Sequence, residues 1–207
     1  MRKIQMRAGK IAPWALAIVV STLCFAQAFG QTRPIDTRNS KLIVHVSKVG
    51  LFFALVDNHE VEAPISEGVV DEGTRQVKFV IESQRIKVLD PQLSPDKRQQ
   101  VQERMLGPGV LDVARFPQIK FESTSVEQAG PGRLLVRGQL SLHGLTRPVV
   151  VNVRSENGHY LGTSTFKQRD FGITPVSVGG GTVKVKDELK IEFDIYTSTQ
   201  AAGVVSK

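Results

Sequence analysis

From Lys41 onward the chain is dominated by an alternation of period two, which restricts it to strands with one buried face. Leu42, Val44 and Val46 alternate with Lys41, Ile43, His45 and Ser47. Val77, Phe79 and Ile81 share a face opposite Lys78, Val80 and Glu82, and Ile119 and Phe121 one opposite Gln118, Lys120 and Glu122. The pattern returns at Leu134, Val136, Gly138, Leu140 and Leu142, at Val149, Val151 and Val153, and at Leu189, Ile191, Phe193 and Ile195. Successive side chains of a strand point to opposite sides, so each run buries one row and wets the other. Turn signals part the runs: Asp71-Glu72-Gly73, Gly130-Pro131-Gly132, His143-Gly144, Glu156-Asn157-Gly158 and Gly179-Gly180-Gly181. Short strands so punctuated predict an all-β fold of about eight to ten antiparallel strands, a sandwich or a barrel. Barrel closure would remove exposed edges.

One segment departs from the alternation. Ser94 suits a helix N-cap, Pro95 the first helical position and Asp96 the positive end. Val101, Met105 and Leu106 form a narrow apolar stripe, and Gly107-Pro108 stops the helix. Such a helix fits against one end of the barrel, and the sequence leaves open which.

The first residues read as a secretory signal. Arg2, Lys3, Arg7 and Lys10 precede an uncharged apolar run from Ile11 to Phe25, and Ala26-Gln27-Ala28 or Ala28-Phe29-Gly30 offers the small residues of a cleavage site. The run falls short of a transmembrane span, so the mature form is expected to have none. Residues 1–30 are therefore expected to be removed, leaving residues 31–207 as a single domain in the periplasm or secreted. The only cysteine, Cys24, lies inside that signal and follows Leu23 rather than a small residue, so neither a lipid anchor nor a disulfide is expected. The mature chain of 177 residues (207 minus 30) suits one core. The formal charge of +7 falls to +3 once four basic residues leave with the signal, and nucleic acid is not expected as a partner.

An eight-stranded barrel is just wide enough to be filled by side chains or to hold one small ligand. The inward row mixes large aromatics (Phe79, Phe121, Phe166, Phe193) with small residues (Ser123, Ser125, Gly138, Gly162, Ser164). Patterning alone favours an ordinary packed core over a tunnel, since apolar stripes usually just pack.

Three blocks bear on that choice: Phe116-Pro117-Gln118-Ile119-Lys120-Phe121-Glu122-Ser123, then Gly138-Gln139-Leu140-Ser141-Leu142-His143-Gly144-Leu145-Thr146-Arg147-Pro148-Val149, then Phe166-Lys167-Gln168-Arg169-Asp170-Phe171-Gly172-Ile173. In this order, behind a signal peptide, they resemble the YceI-like family from about Asp36 to Tyr196. The resemblance implies an extended, lipocalin-like antiparallel β-barrel with a helix near one end. It also implies an apolar cavity for a long isoprenoid or fatty chain, and no common catalytic set. No cofactor is expected beyond that lipid ligand. The residues expected to line the cavity are Val77, Phe79, Ile81, Phe121, Gly138, Leu140, Ser164, Phe166, Phe171 and Phe193, with Gly138 and Ser164 supplying room. A homodimer is left open.

The polar candidates are few. Asp57 and His59 are two apart where a subgroup of the family often carries His-x-His, and could give two ligands to a divalent ion. A metal-dependent hydrolase or isomerase built on them is one alternative; a filled barrel that binds a protein partner is another. Arg169 suits a phosphate or other head group at the cavity mouth, or a structural ion pair beside a turn in which Gly172 takes an unusual backbone angle. The Gly179–Gly181 run reads as a loop between strands. The chain has no Gly-x-Ser-x-Gly and no His-Glu-x-x-His.

Overall fold

The computed structural model describes residues 32–50, 59–178 and 183–198. The alternating runs become strands: β1 (Thr32–Pro34), β2 (Lys41–Val46), β3 (Lys48–Gly50), β4 (His59–Glu62), β5 (Ile65–Asp71), β6 (Gln76–Glu82) and β7 (Lys87–Val88). After helix α1 (Pro95–Leu106) come the long strands β8 (Gln118–Gly130), β9 (Arg133–Leu142), β10 (Leu145–Glu156) and β11 (His159–Lys167), then β12 (Ser177–Val178), β13 (Val183–Val185) and β14 (Glu188–Tyr196). The pairings are antiparallel, in the order β1-β5-β6-β8-β9-β10-β11-β14-β2-β4-β7, with a small sheet β12-β13-β3 beside them.

The main sheet curls on itself as an open, barrel-like wall. Beyond β1, the Ile35 N–H donates to the Gly68 carbonyl at 2.9 Å on one side, and Ile35 pairs with Thr197 on the other. The Asp36 N–H donates to the Tyr196 carbonyl at 2.8 Å and the Ser198 N–H to the Pro34 carbonyl at 2.8 Å, so this segment joins β5 to the end of β14.

Two hairpins show how local sequence sets register. His143 and Gly144, both at positive φ (51° and 75°), bring Leu142 opposite Leu145, and Asn157-Gly158 (50° and 80°) does the same for Glu156 and His159. Two consecutive positive φ values make the turn whose twist matches the strands it joins. These turns place the inward rows of β9, β10 and β11 in register.

Turns 71–76, 130–133 and 156–159 lie at one end of the wall, here the hairpin end. The 142–145 turn, the small sheet and α1 lie at the other, the helix end. α1 runs over the residues expected, although the Ser94 side chain makes no capping bond. An amide fixes it: the Val88 N–H donates to Gln102 Oε1 at 2.7 Å, and Gln102 Nε2 donates to the Ile86 carbonyl at 2.7 Å. The helix thereby covers β7, the outer strand of the sheet, an edge that would otherwise offer unpaired backbone groups.

Candidate functional site

The wall encloses a cavity of about 1150 Å³ that runs from the hairpin end to the helix end. Small-molecule sites usually occupy ~300–1,000 Å³. The inward rows read from the alternation are its lining: Leu42, Val44 and Val46; Ile119 and Phe121; Leu134, Val136, Leu140 and Leu142; Val149, Val151 and Val153; and Leu189, Ile191, Phe193 and Ile195. Val101 and Met105 of α1 close the helix end with Leu93. The barrel is hollow, and the packed-core alternative does not hold.

Close approach between rings and glycines keeps it hollow. A Cβ at Gly138 would lie 2.5 Å from Cε2 and Cζ of Phe121, and one at Gly162 would lie 2.3 Å from Cζ of Phe193. Each ring lies against the wall over a residue without a side chain, where it projects less into the lumen. Phe121 also stacks on Phe79, with centroids 5.2 Å apart and planes at 24°.

Of the residues named from sequence, Val77, Phe79, Ile81, Phe121, Leu140, Ser164, Phe166 and Phe193 face the cavity. Gly138 and Phe171 do not. Gly138 supplies no room to the lumen, because the Phe121 ring occupies the space over it. Phe171 is wholly buried and packs edge-on against Phe166 with centroids 5.2 Å apart, supporting the wall instead of lining it. A strict inward alternation cannot tell a lining ring from one packed behind it. Phe171 belongs to a short 3-10 helix, Gln168–Phe171, which ends the alternation. Arg169, in the same turn, is exposed and off the cavity wall; its backbone N–H donates to Asp187 Oδ1 at 3.0 Å. Gly172 does take the left-handed angle expected of that turn, φ 71°.

The polar pair expected at Asp57 and His59 stands differently. Asp57 lies outside the described residues, as do Gly179, Gly180 and Gly181. His59 lines the cavity, and its Nδ1 meets Oδ2 of Asp90, 31 residues further on. The Asp90 side chain is fully buried, and its Oδ1 accepts the Glu60 N–H at 2.8 Å. Sequence inspection missed this partner; its one signal was an acid between Val88-Leu89 and Pro91. Among the described residues no three His, Cys, Asp or Glu side chains cluster as a metal site.

The hairpin end carries a network equally hidden in the sequence. The Tyr160 hydroxyl donates to Glu72 Oε1 at 2.9 Å, and Arg33 lies 3.7 Å from the same carboxylate. Partial burial, then the bond to Glu72 and its negative charge, push the Tyr160 phenol up to about 12. All three residues line the cavity mouth.

Comparison with known proteins agrees with this architecture. The crystal structure of BcnA from Burkholderia cenocepacia superposes with a TM-score of 0.59 at 19% identity, over 80% of this chain and 99% of that one. The YCEI protein of Campylobacter jejuni superposes with a TM-score of 0.50 at 12% identity, over 75% and 86%. These likenesses concern the fold. A UPF0312 protein of Shewanella denitrificans is 35% identical over 92 residues, 40% of this chain and 48% of that protein. One from Pseudomonas savastanoi pv. phaseolicola is 37% identical over 95 residues, 41% and 47%. The chain thus spans about half the length of the curated relatives it matches. The YceI-like domain model matches residues 34–197, essentially the whole curled sheet, and the chain belongs to the YceI-like family.

Proposed function

We propose that the protein is an exported carrier that holds a long-chain isoprenoid or fatty lipid in this cavity and changes no bond in it. The protein is periplasmic or secreted, and residues 1–30 are the leader removed on the way. Among the described residues, no helix is long and apolar enough to cross a membrane. The observation that carries the proposal is the continuous aliphatic and aromatic lining of a cavity of about 1150 Å³ that runs the length of the wall.

The mechanism is desolvation. About fifteen methylenes leaving water at ~0.8 kcal/mol each contribute roughly 12 kcal/mol before costs. Immobilising the chain and the loops around it offsets much of this, which places affinity near the submicromolar range. The residues that would contact the tail are Val77, Phe79, Ile81, Phe121, Leu140, Ser164, Phe166 and Phe193.

Native mass spectrometry of the mature protein, with organic extraction of the same sample, tests the proposal. A stoichiometric long-chain lipid is expected. A bare mass together with no uptake of added fatty or isoprenoid chains overturns it. Stoichiometric metal lost in His59→Ala would instead establish the metal-dependent reading.

A further inference from the structure

The cations of the fold are distributed unevenly over its outside. The segments that form the helix end (48–50, 95–116, 142–147, 168–178 and 183–187) carry nine basic side chains and five acidic ones, whereas the turns of the hairpin end (71–76, 130–133 and 156–159) carry two and three. The ion pairs lie mostly elsewhere. Lys78–Glu122, Arg137–Glu127 and Lys190–Glu192 stand on the outside of the wall, and Arg33–Glu72 at the hairpin end. At the helix end Arg115 meets Asp112 at 3.2 Å. Among the described residues Lys97, Arg104, Arg147 and Arg169 make no ion pair with a carboxylate, and all four are exposed.

Several of these groups belong to one surface. The Arg115 guanidinium lies 5.1 Å over the Phe116 ring, and Phe116 meets the His143 ring with centroids 4.6 Å apart. His143 Nδ1 meets the Phe171 carbonyl at 3.1 Å, and Arg147 Nε donates to the Asp170 carbonyl at 3.0 Å. The stretch after α1, the β9–β10 turn and the 3-10 helix are thereby held together. Leu145, in that turn, is 38% exposed, one of the few large apolar side chains on the outside. Lys97 and Arg104 border the cavity beside Val101 at the same end. Cations gathered without carboxylates repel one another, and a negatively charged surface relieves that repulsion. Each Lys or Arg close to an anionic bilayer strengthens binding about fivefold, an effect that fades beyond a Debye length. An exposed leucine among cations suits the level where head groups give way to acyl chains.

We infer that the helix end is a docking face for an anionic phospholipid bilayer. Lys97, Arg104, Arg147 and Arg169 meet the phosphates of the bilayer, Leu145 enters between its head groups, and the hairpin end points away from it. The docking does not require the carrier reading. Where that reading holds, docking brings the cavity mouth against the bilayer, so that an apolar chain passes between the two without crossing water.

Flotation with vesicles of phosphatidylcholine alone, and of phosphatidylcholine with an equal part of phosphatidylglycerol, tests the docking. The mature protein is expected to bind the anionic vesicles at least ~tenfold more tightly, and ~0.5 M salt should remove most of the difference. Lys97→Gln/Arg104→Gln/Arg169→Gln should lose at least ~tenfold. Lys41→Gln/Arg133→Gln/Arg154→Gln removes as much charge toward the hairpin end and should stay within ~threefold. All six side chains are exposed, and circular dichroism verifies that both variants fold. The chain has one tryptophan, Trp14, in the leader. Leu145→Trp therefore gives the mature protein a single indole on the docking face, and Leu161→Trp a single one on the wall. Emission should shift to the blue on anionic vesicles for Leu145→Trp only. Equal binding to both kinds of vesicle, or none to either, overturns the docking. Equal loss in the two triple variants, or a blue shift in Leu161→Trp and none in Leu145→Trp, overturns its orientation. Uptake of a long-chain lipid from solution, measured without vesicles, tests the carrier reading separately.

Discussion

The ring of Phe121 lies across the backbone of Gly138, so close that a Cβ there would stand 2.5 Å from two ring carbons and 2.8 Å from the Glu122 carbonyl oxygen. The glycine is a seat for the ring and adds nothing to the lumen. Gly138→Leu is therefore a folding lesion, not a plug: overpacking at a strand centre forces both ring and backbone to move. Gly138→Ala should lower stability by about 1–3 kcal/mol, read as a fall in the urea midpoint, and Gly138→Leu should not yield folded protein. A folded Gly138→Leu with an unchanged midpoint would show that Phe121 has another place to go.

A side chain that does project into the lumen makes the plug. Val151 of β10 lines the cavity, paired with Val136 on one side and Ser164 on the other. Val151→Trp adds an indole where there is space to receive it, so the overpacking cost of a filled core is not incurred. Uptake of a long-chain fluorescent lipid should drop at least tenfold, with the thermal midpoint within a few degrees of the parent. Undiminished uptake would place the chain elsewhere in the cavity.

The alternation of Leu42, Val44 and Val46, or of Leu189, Ile191, Phe193 and Ile195, was legible because each strand answers only to its own two faces. The same rows line the cavity. The helix was legible because Pro95 and Gly107 are local punctuation. Whether the inward rows meet in the middle was not legible. That depends on where rings such as Phe121 and Phe193 lie across neighbouring strands, and the glycines that seat them read only as small residues. The polar contacts were hidden for a related reason. Asp90 reaches His59 across 31 residues and Tyr160 reaches Glu72 across 88, and no local pattern encodes such pairings. Of the two readings of Arg169, the cavity-mouth one was not settled by sequence, because the 3-10 turn that carries the residue off the cavity wall has no periodic signature.

Tyr160 ties the hairpin end to pH. Its phenol is raised to about 12 by burial first and by Glu72 second. A folded-state value above the unfolded one of ~10 means that the unfolded chain releases this proton first. The resulting stability is whole below pH ~10 and is lost as pH rises toward about 12. Difference absorbance near 295 nm should show a tyrosinate step near 12 that is missing in Tyr160→Phe and moves down in Glu72→Gln. A step that stays in place in Glu72→Gln would mean that burial alone sets it.

At the opposite end, the His59 and Asp90 side chains tie β4 to the segment leading into α1. The Asp90 side chain is fully buried, with its other oxygen on the Glu60 N–H. Removing the ring leaves that carboxyl half-satisfied in a place without water, and breaking such a pair typically costs ~3–5 kcal/mol. His59→Leu is expected to lose about that much in urea unfolding. Adding Asp90→Asn to it should recover a good part, because the amide can still accept the Glu60 N–H and carries no charge. A double-mutant cycle separates the pair from the individual losses: a coupling above about 1.5 kcal/mol is expected. A coupling near zero would mean that the two side chains act independently, and that the orientation of His59 toward the lumen is set by β4 alone.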